Sequence, residues 1–351
     1  MQKNNLTAQQ KYADRKIKFA MLGMGMAFIS AICLVTFQNF NASAQNIVYA
    51  LYDTGPTTNF MLCLMLLSLC ECTCGIIVMI FSKVKNGIPF VEYKRLWKVK
   101  SSRTVLISAL VAGPIATACT VSAVTYAGST YVNIILTLTV VFIAIGGRIF
   151  LKENTSARMY LGIVIVFAGC AIASWSKPEA IESAAFYLGI ALALAAALGF
   201  AVEAIISTHA MDVSDTLELC AMYRAIGGAV LEFSIALIFA AVTGNLDIFT
   251  QALSFVFHTP FVMLLLFMTG VFMSLQYGLG YTCFNYCGAT RGNVIIYTTP
   301  VWSIPVGIVF TKMGLLSYEV TTLGIIGAFV VVVGVIVVNC KPSELFNLRK
   351  M

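Results

Sequence analysis

The sequence predicts an all-α integral membrane protein of ten transmembrane helices, built as two inverted five-helix repeats. Three observations predict it: the composition, the spacing of the apolar runs and a match of the chain against itself. Of 351 residues, 60% are hydrophobic and only 11% charged, with a mean hydropathy of +0.91. Soluble domains carry about a quarter charged residues, so sequence this apolar must meet lipid. That excludes a soluble globular domain, a disordered chain and a disulfide scaffold. At about 20 apolar residues per crossing, the length has room for roughly ten to twelve spans.

Charge clusters and turn residues divide the chain into ten apolar runs, at 19–40, 57–81, 104–126, 130–147, 159–175, 184–207, 217–242, 260–286, 293–311 and 320–340. None alternates in polarity as the strands of a membrane β-barrel do, so each is read as a helix. The fourth and fifth are the shortest, and a nine-span reading stays open there. Runs one to five make a first repeat, 19–175, and runs six to ten a second, 184–340. Short polar segments, 1–18 and 341–351, flank them and are read as cytoplasmic.

Charge sets this topology. Nineteen of the 22 Lys and Arg residues fall on one side: before residue 19, across 83–103, at Arg148, Lys152, Arg158 and Arg291, and at Lys341, Arg349 and Lys350. Lys177 and Lys312 fall on the other side, and Arg224 lies inside a span. By the positive-inside rule both termini are cytoplasmic, with the plasma or inner membrane the favoured location. The net charge of +7 therefore marks orientation, and no nucleic-acid partner is expected because no soluble basic face exists. The 82–103 loop is read as topogenic, with contact to the anionic leaflet through Phe90, Tyr93, Leu96 and Trp97 as the alternative.

Ala42-Ser43-Ala44 resembles a signal cleavage site, but the run before it is longer than the roughly 7–15 residues of a signal core. Asn41-Ala42-Ser43 is also an N-glycosylation sequon, expected on the outer side. The eleven cysteines lie in or at the ends of spans and are read as small packing residues. His209 and His258 fall at opposite membrane faces, so no histidine pair forms. No metal, cofactor or enzymatic group is expected, and short loops leave no nucleotide fold.

The internal repeat is the most informative feature. Shifting the chain by 160 residues sets 126–152 against 286–312, where ten of 27 positions are identical, including Tyr126/Tyr286, Gly128/Gly288, Asn133/Asn293, Gly147/Gly307 and Lys152/Lys312. Shared apolar bias explains matching Ile and Val but not matching Tyr, Asn, Gly and Lys. Five spans per copy is odd, so the second copy enters the membrane from the opposite face. Inverted copies can each take either of two packings, which is the basis of alternating access.

The segments Tyr126 to Asn133 (YAGSTYVN) and Tyr286 to Asn293 (YCGATRGN) stand at the joints of helices three and four and of helices eight and nine. With Leu161-Gly162 and Gly169, Leu323-Gly324 and Gly334, and Met222-Tyr223-Arg224, they make the chain resemble the drug/metabolite transporter superfamily, in its ten-helix EamA-like branch. The likeness runs from about residue 19 to 340. The chain departs from it in lacking the proline usual midway in the fourth helix, although Pro300 stands at the equivalent point of the ninth. The resemblance implies a carrier of small metabolites, more often an exporter than an importer.

Polar residues within spans are the candidate site. Glu71 lies near the middle of its run, where an ionised carboxylate is costly unless paired, hydrated or protonated, so it is the leading proton or substrate-cation group. Glu232, two helical turns beyond Arg224, is a second proton carrier. Glu203 and Arg224 fall at similar depths along a helical hairpin and are expected to form an ion pair or gate. Tyr277, Tyr281 and Asn285 recur at i, i+4 and i+8 on the eighth helix. Asn293 and Tyr297 share a face of the ninth, and the repeat places Asn133 and Thr137 at the same points of the fourth. Pro300 and Pro305 are expected to kink the ninth helix and leave carbonyl acceptors near mid-membrane. Trp302 is deep, and an aromatic box beside a carboxylate fits amines or quaternary ammonium groups.

The reading is a secondary active transporter of a small organic solute such as an amine, amino acid or amphipathic compound. It partners the lipid bilayer and protons, and a homodimer is compatible with it. Proton-coupled uptake of a quaternary-amine-like solute, and a non-transporting sensor or assembly protein on the same scaffold, are the alternatives.

Overall fold

The computed structural model describes residues 8–52, 55–87, 111–150, 157–175, 182–211, 217–287, 295–317 and 319–339. Among these residues the chain is helical apart from short turns and connections, with no strand. The first helix, α1 (Ala8–Tyr52), has 45 residues and extends twelve residues past the expected end of its run. No proline or left-handed glycine interrupts it before the Asp53–Pro56 stretch. Its length, about 67 Å at 1.5 Å per residue, more than doubles a hydrocarbon core. The run read from the sequence holds Gln38 and Asn39 near its end and stops at Phe40, just before Asn41. Gln38, Asn39 and Asn41 are all buried within the helix.

Helix α2 (Pro56–Asn86) starts on Gly55 with proline in its first turn, where a missing N–H costs nothing, and ends on a left-handed Gly87. A π-helical stretch, Val111–Thr117 around Pro114, runs into α3 (Ala118–Ala127). Gly128, at φ 82°, makes the sharp joint to α4 (Ser129–Leu136); a side chain there would be strained. The fourth run continues as α5 (Leu138–Phe150), followed by α6 (Ala157–Trp175), α7 (Ser183–Met211) and α8 (Leu217–Thr243). Next come α9 (Leu246–His258), α10 (Pro260–Cys287), α11 (Thr299–Lys312) and α12 (Thr322–Asn339).

Helix α9 falls where the sequence reading has only a connection. It buries Phe249, Ala252 and Val256 against α8 and α10, with Asp247 in its first turn. A thirteen-residue amphipathic helix is too short to span.

Among the described residues, five helices are long and apolar enough to cross a membrane: Met21–Tyr52, Thr57–Val84, Ser183–Glu203, Ala221–Thr243 and Pro260–Gly280. Three shorter apolar helices are Ser129–Ile143, Tyr160–Ala173 and Thr322–Val337. The surface they leave is lipid-like. On α8, Val230, Ile238 and Val242 are 61–80% exposed, while Arg224, Gly228 and Glu232 face inward. A water-soluble fold would not expose apolar side chains on this scale.

Helix pairing organises the bundle. The closest pairs are α1 with α10, α3 with α7, α2 with α8, and α6 with α12. The α6–α12 pair is held by small residues: a Cβ placed on Gly327 would lie 2.8 Å from the Gly169 carbonyl oxygen and 2.9 Å from Ala173 N. Backbones approach this closely only where side chains are absent.

Candidate functional site

Four charged residues predicted from three spans lie near one another in the interior. Arg224 Nε of α8 donates to Glu203 Oε1 of α7 at 2.6 Å, and its guanidinium carbon lies 4.4 Å from the Tyr277 ring centre on α10. Helix α7 runs on to Met211, four residues past its expected end, so Glu203 lies eight residues from that end and Arg224 seven from the start of α8. Their levels therefore match across the hairpin. The face of Tyr277, expected to receive a solute cation, is occupied by the protein's own arginine.

Glu71 of α2 is 1% exposed, and neither carboxyl oxygen has a hydrogen-bond partner. Its Oε2 seats against Gly228 of α8, filling the space a side chain would take. Glu232 is fully buried and likewise without a partner at either oxygen. It packs on the π-helical stretch, where a Cβ at Gly113 would lie 2.8 Å from Glu232 Oε1. Residues 224, 228 and 232 follow at i, i+4 and i+8, so Glu71 enters α8 about one turn, or 6 Å, from Arg224 and from Glu232. Glu71 and Glu232 lie within each other's field, and both lie within that of Arg224. π-Helical turns are frequent at functional sites because their loosened ladder leaves backbone groups available.

A second polar region lies on α1. Asn133 of α4, fully buried, donates Nδ2 to Gln38 Oε1 at 2.9 Å and to the Ser129 carbonyl at 2.7 Å, while its Oδ1 has no partner. Gln45 Oε1 accepts from Tyr49 at 3.0 Å and from Thr125 at 2.9 Å, and Gln45 Nε2 donates to Asn41 Oδ1. Asn41 Nδ2 contacts Cys70 Sγ at 3.4 Å and is buried, so the sequon nitrogen does not stand on the outer side as expected. Ala42-Ser43-Ala44 is likewise buried in mid-helix. The sequence reading missed this stripe. Its signal was the spacing of Gln38, Asn41, Gln45 and Tyr49, which follows one helical face.

Helical breaks accompany both repeated motifs. Thr137 separates α4 from α5; its N–H bonds to the Ile134 carbonyl at 3.2 Å and its hydroxyl donates to the same oxygen at 2.5 Å. Thr298 N bonds to Ile295 O at 3.1 Å, and its hydroxyl donates to that oxygen at 2.6 Å. Pro300 follows this break in the first turn of α11, and Pro305 lies within that helix. The proline expected to kink a continuous helix thus stands at a new helical start, where it removes no internal bond. Trp302 Nε1 donates to Thr298 Oγ1 at 3.0 Å and its ring meets Phe28 edge-on at 4.5 Å. Ser303 donates to Thr130 Oγ1 at 2.9 Å, tying α11 to α4. Tyr297, half-buried, packs with the second core cluster. The side chains of Tyr281 and Asn285, all of Asn293, and most of the 82–103 loop lie outside the described residues.

The model of the EamA-like transporter family matches residues 17–175. The likeness spans a little under half of the chain. That family is part of the drug/metabolite transporter superfamily, whose members are multi-pass membrane transporters of small solutes. No curated protein matches the chain. Twenty-seven chains of solved structures do, one of them titled only "Crystal structure of protein". It is 14% identical, with a TM-score of 0.50 over 88% of this chain and 96% of that one. At that identity the likeness concerns fold alone. The EamA-like match covers the half that carries Glu71, Gln38 and Asn133, while Arg224, Glu232 and Tyr277 belong to the other half.

Proposed function

We propose that the protein is a secondary active carrier of a small organic solute, working by alternating access between two inverted five-helix halves. The observation that carries this reading is the pattern of helix pairing. Counting the π stretch with α3, α4 with α5, and α9 as a surface connection gives ten rods, and exchanging the halves leaves the main pairs unchanged. First with eighth becomes sixth with third; second with seventh, fourth with ninth, and fifth with tenth map onto themselves. The breaks at Thr137 and Thr298, 161 residues apart, support the same correspondence. A bundle with this symmetry has two packings of similar energy, one open to each side.

In this reading Glu71 is the principal coupling group and Glu232 its companion, with the Glu203–Arg224 pair as the gate beside them. Asn133, Thr137, Tyr297 and Trp302 line the solute path with Asn293, Tyr281 and Asn285. An amine, amino acid or amphipathic solute fits this mixture of carboxylate, amide and aromatic groups. Export driven by proton exchange, with both termini cytoplasmic, is the form proposed. A thermal-shift panel of amines, amino acids, nucleosides and sugars on purified protein identifies the solute class. In proteoliposomes, Glu71→Gln is then expected to abolish flux driven by a pH gradient; flux with unchanged pH dependence would sink the assignment.

A further inference from the structure

Helix α9 has no place in the carrier scheme, and its neighbours fix how it lies. Glu71 of α2 seats against Gly228 of α8, and Arg224 of α8 meets the Tyr277 ring of α10. Fifteen residues separate Glu71 from the start of α2 at Pro56, and fifteen separate Gly228 from the end of α8 at Thr243. Nineteen separate Arg224 from Thr243, and seventeen separate Tyr277 from the start of α10 at Pro260. At roughly 1.5 Å per residue, these three helix ends stand within about 3 Å of one level. Helix α9 joins two of them and packs on the third helix, so it lies across the end of the bundle. Gly244, at φ 72°, turns the chain out of α8, and Thr259, with extended backbone, turns it into α10.

Around its axis α9 has three surfaces. Phe249, Ala252 and Val256 point into the bundle, where Phe249 meets Phe233 of α8 edge-on at 5.6 Å. On the opposite side Asp247, Thr250, Gln251, Ser254 and His258 are all exposed, a hydrophilic strip suited to water. Between the two, on one flank, Leu246 and Phe257 fall almost in line, about three turns apart. They are 42% and 56% exposed, so the bundle does not cover them. Exposed apolar side chains continue on both sides of this flank, Ile238 and Val242 along α8 and Phe261, Leu264 and Phe267 along α10.

We propose that α9 is an interfacial helix whose partner is the phospholipid headgroup layer. Its hydrophilic strip faces water, and Leu246 and Phe257 enter the upper acyl chains beside the ends of α8 and α10. The exposed apolar surface of those two helices is the lipid-facing one, and the flank continues it. Charge names the kind of lipid. Helices that select anionic membranes carry Lys or Arg along the polar face, and α9 has neither. Its polar face holds one acid, Asp247, and His258, whose Nδ1 lies 2.8 Å from the Ser254 carbonyl oxygen. Apolar area and not charge therefore holds α9, and a zwitterionic phospholipid suffices. Seated so, α9 caps the end of α2. The inference holds whether or not the chain is a carrier.

The test uses the wild-type full-length protein in phosphatidylcholine vesicles. They contain a trace of phosphatidylcholine bearing a diazirine, placed either near the glycerol end of one acyl chain or at its methyl end. After irradiation, peptide mass spectrometry locates the adducts. The glycerol-end probe is expected to label Leu246 and Phe257. The methyl-end probe is expected to label Val230 and Phe267 and to leave α9 without adducts, and neither probe is expected to label Thr250, Gln251 or Ser254. Replacing half of the phosphatidylcholine by phosphatidylserine, or raising the salt, is expected to leave this pattern unchanged. Absence of adducts on α9 while Val230 and Phe267 are labelled, adducts on its hydrophilic strip, or labelling that requires phosphatidylserine overturns the proposal.

Discussion

At the residue scale, what matters is which partner each buried polar group finds. Arg224 is held from two directions, by the Glu203 carboxylate and the Tyr277 ring. Removing one member of such a pair strands the other, which is costlier than never having built it. Glu203→Ala is accordingly expected to destabilise the protein by about 3 kcal/mol, seen as a lowered thermal midpoint in detergent. A midpoint equal to wild type would mean that the Glu203 contact contributes nothing to stability. The sequence pointed to Glu203 and Arg224 through their depth along a hairpin. It could not reveal that Tyr277 is already committed to that arginine, because the α8–α10 contact is set by packing and not by spacing.

At the element scale, small residues decide how closely helices approach. The α6–α12 contact has no room for a methyl group at Gly327, since it would meet the Ala173 Cβ and the backbone of Gly169 and Ala173, none of which can swing aside. Gly327→Ala is expected to cost about 1–3 kcal/mol through forced separation of the two helices. Gly278→Ala, on α10 with nothing within 4 Å of the added carbon, serves as the neutral control. Thermal unfolding of both variants checks the difference, and equal midpoints would count against close packing here. The first run was read as ending at Phe40, whereas α1 continues to Tyr52: α2, α3 and α4 offer the amides of Asn41, Gln45 and Gln38 partners that water would otherwise provide. Helix α9 was missed because its apolar residues alternate with polar ones over a stretch too short to span.

At the scale of the whole molecule, the proposed alternating access separates contacts that would have to open from contacts that would not. Rods paired with their own equivalents, as α6 with α12, can stay together in both packings. A cross-link between cysteines placed on α6 and α12 away from the glycine contacts is therefore expected to leave flux in proteoliposomes intact on a background stripped of other cysteines. Loss of flux on cross-linking, restored by reduction, would show that this pair parts during the cycle.

The sequence by itself determined the medium and the helical class and offered the repeat as an expectation, because each depends on composition or on order along the chain. Lipid requires apolar runs with internally satisfied backbones, and a duplicated fold leaves matching residues at a fixed offset. It also singled out Glu71, since a carboxylate in mid-run conflicts with its surroundings wherever the helix packs. Only the tertiary structure decided what that carboxylate meets. Gly228, Gly113 and the π-helical turn come from distant parts of the chain, and an absent side chain leaves no trace in a hydrophobic pattern. Likewise the buried stripe of α1 acquires meaning only when Asn133 and Thr125 are brought against it, because a hydrogen bond between helices is a property of their packing.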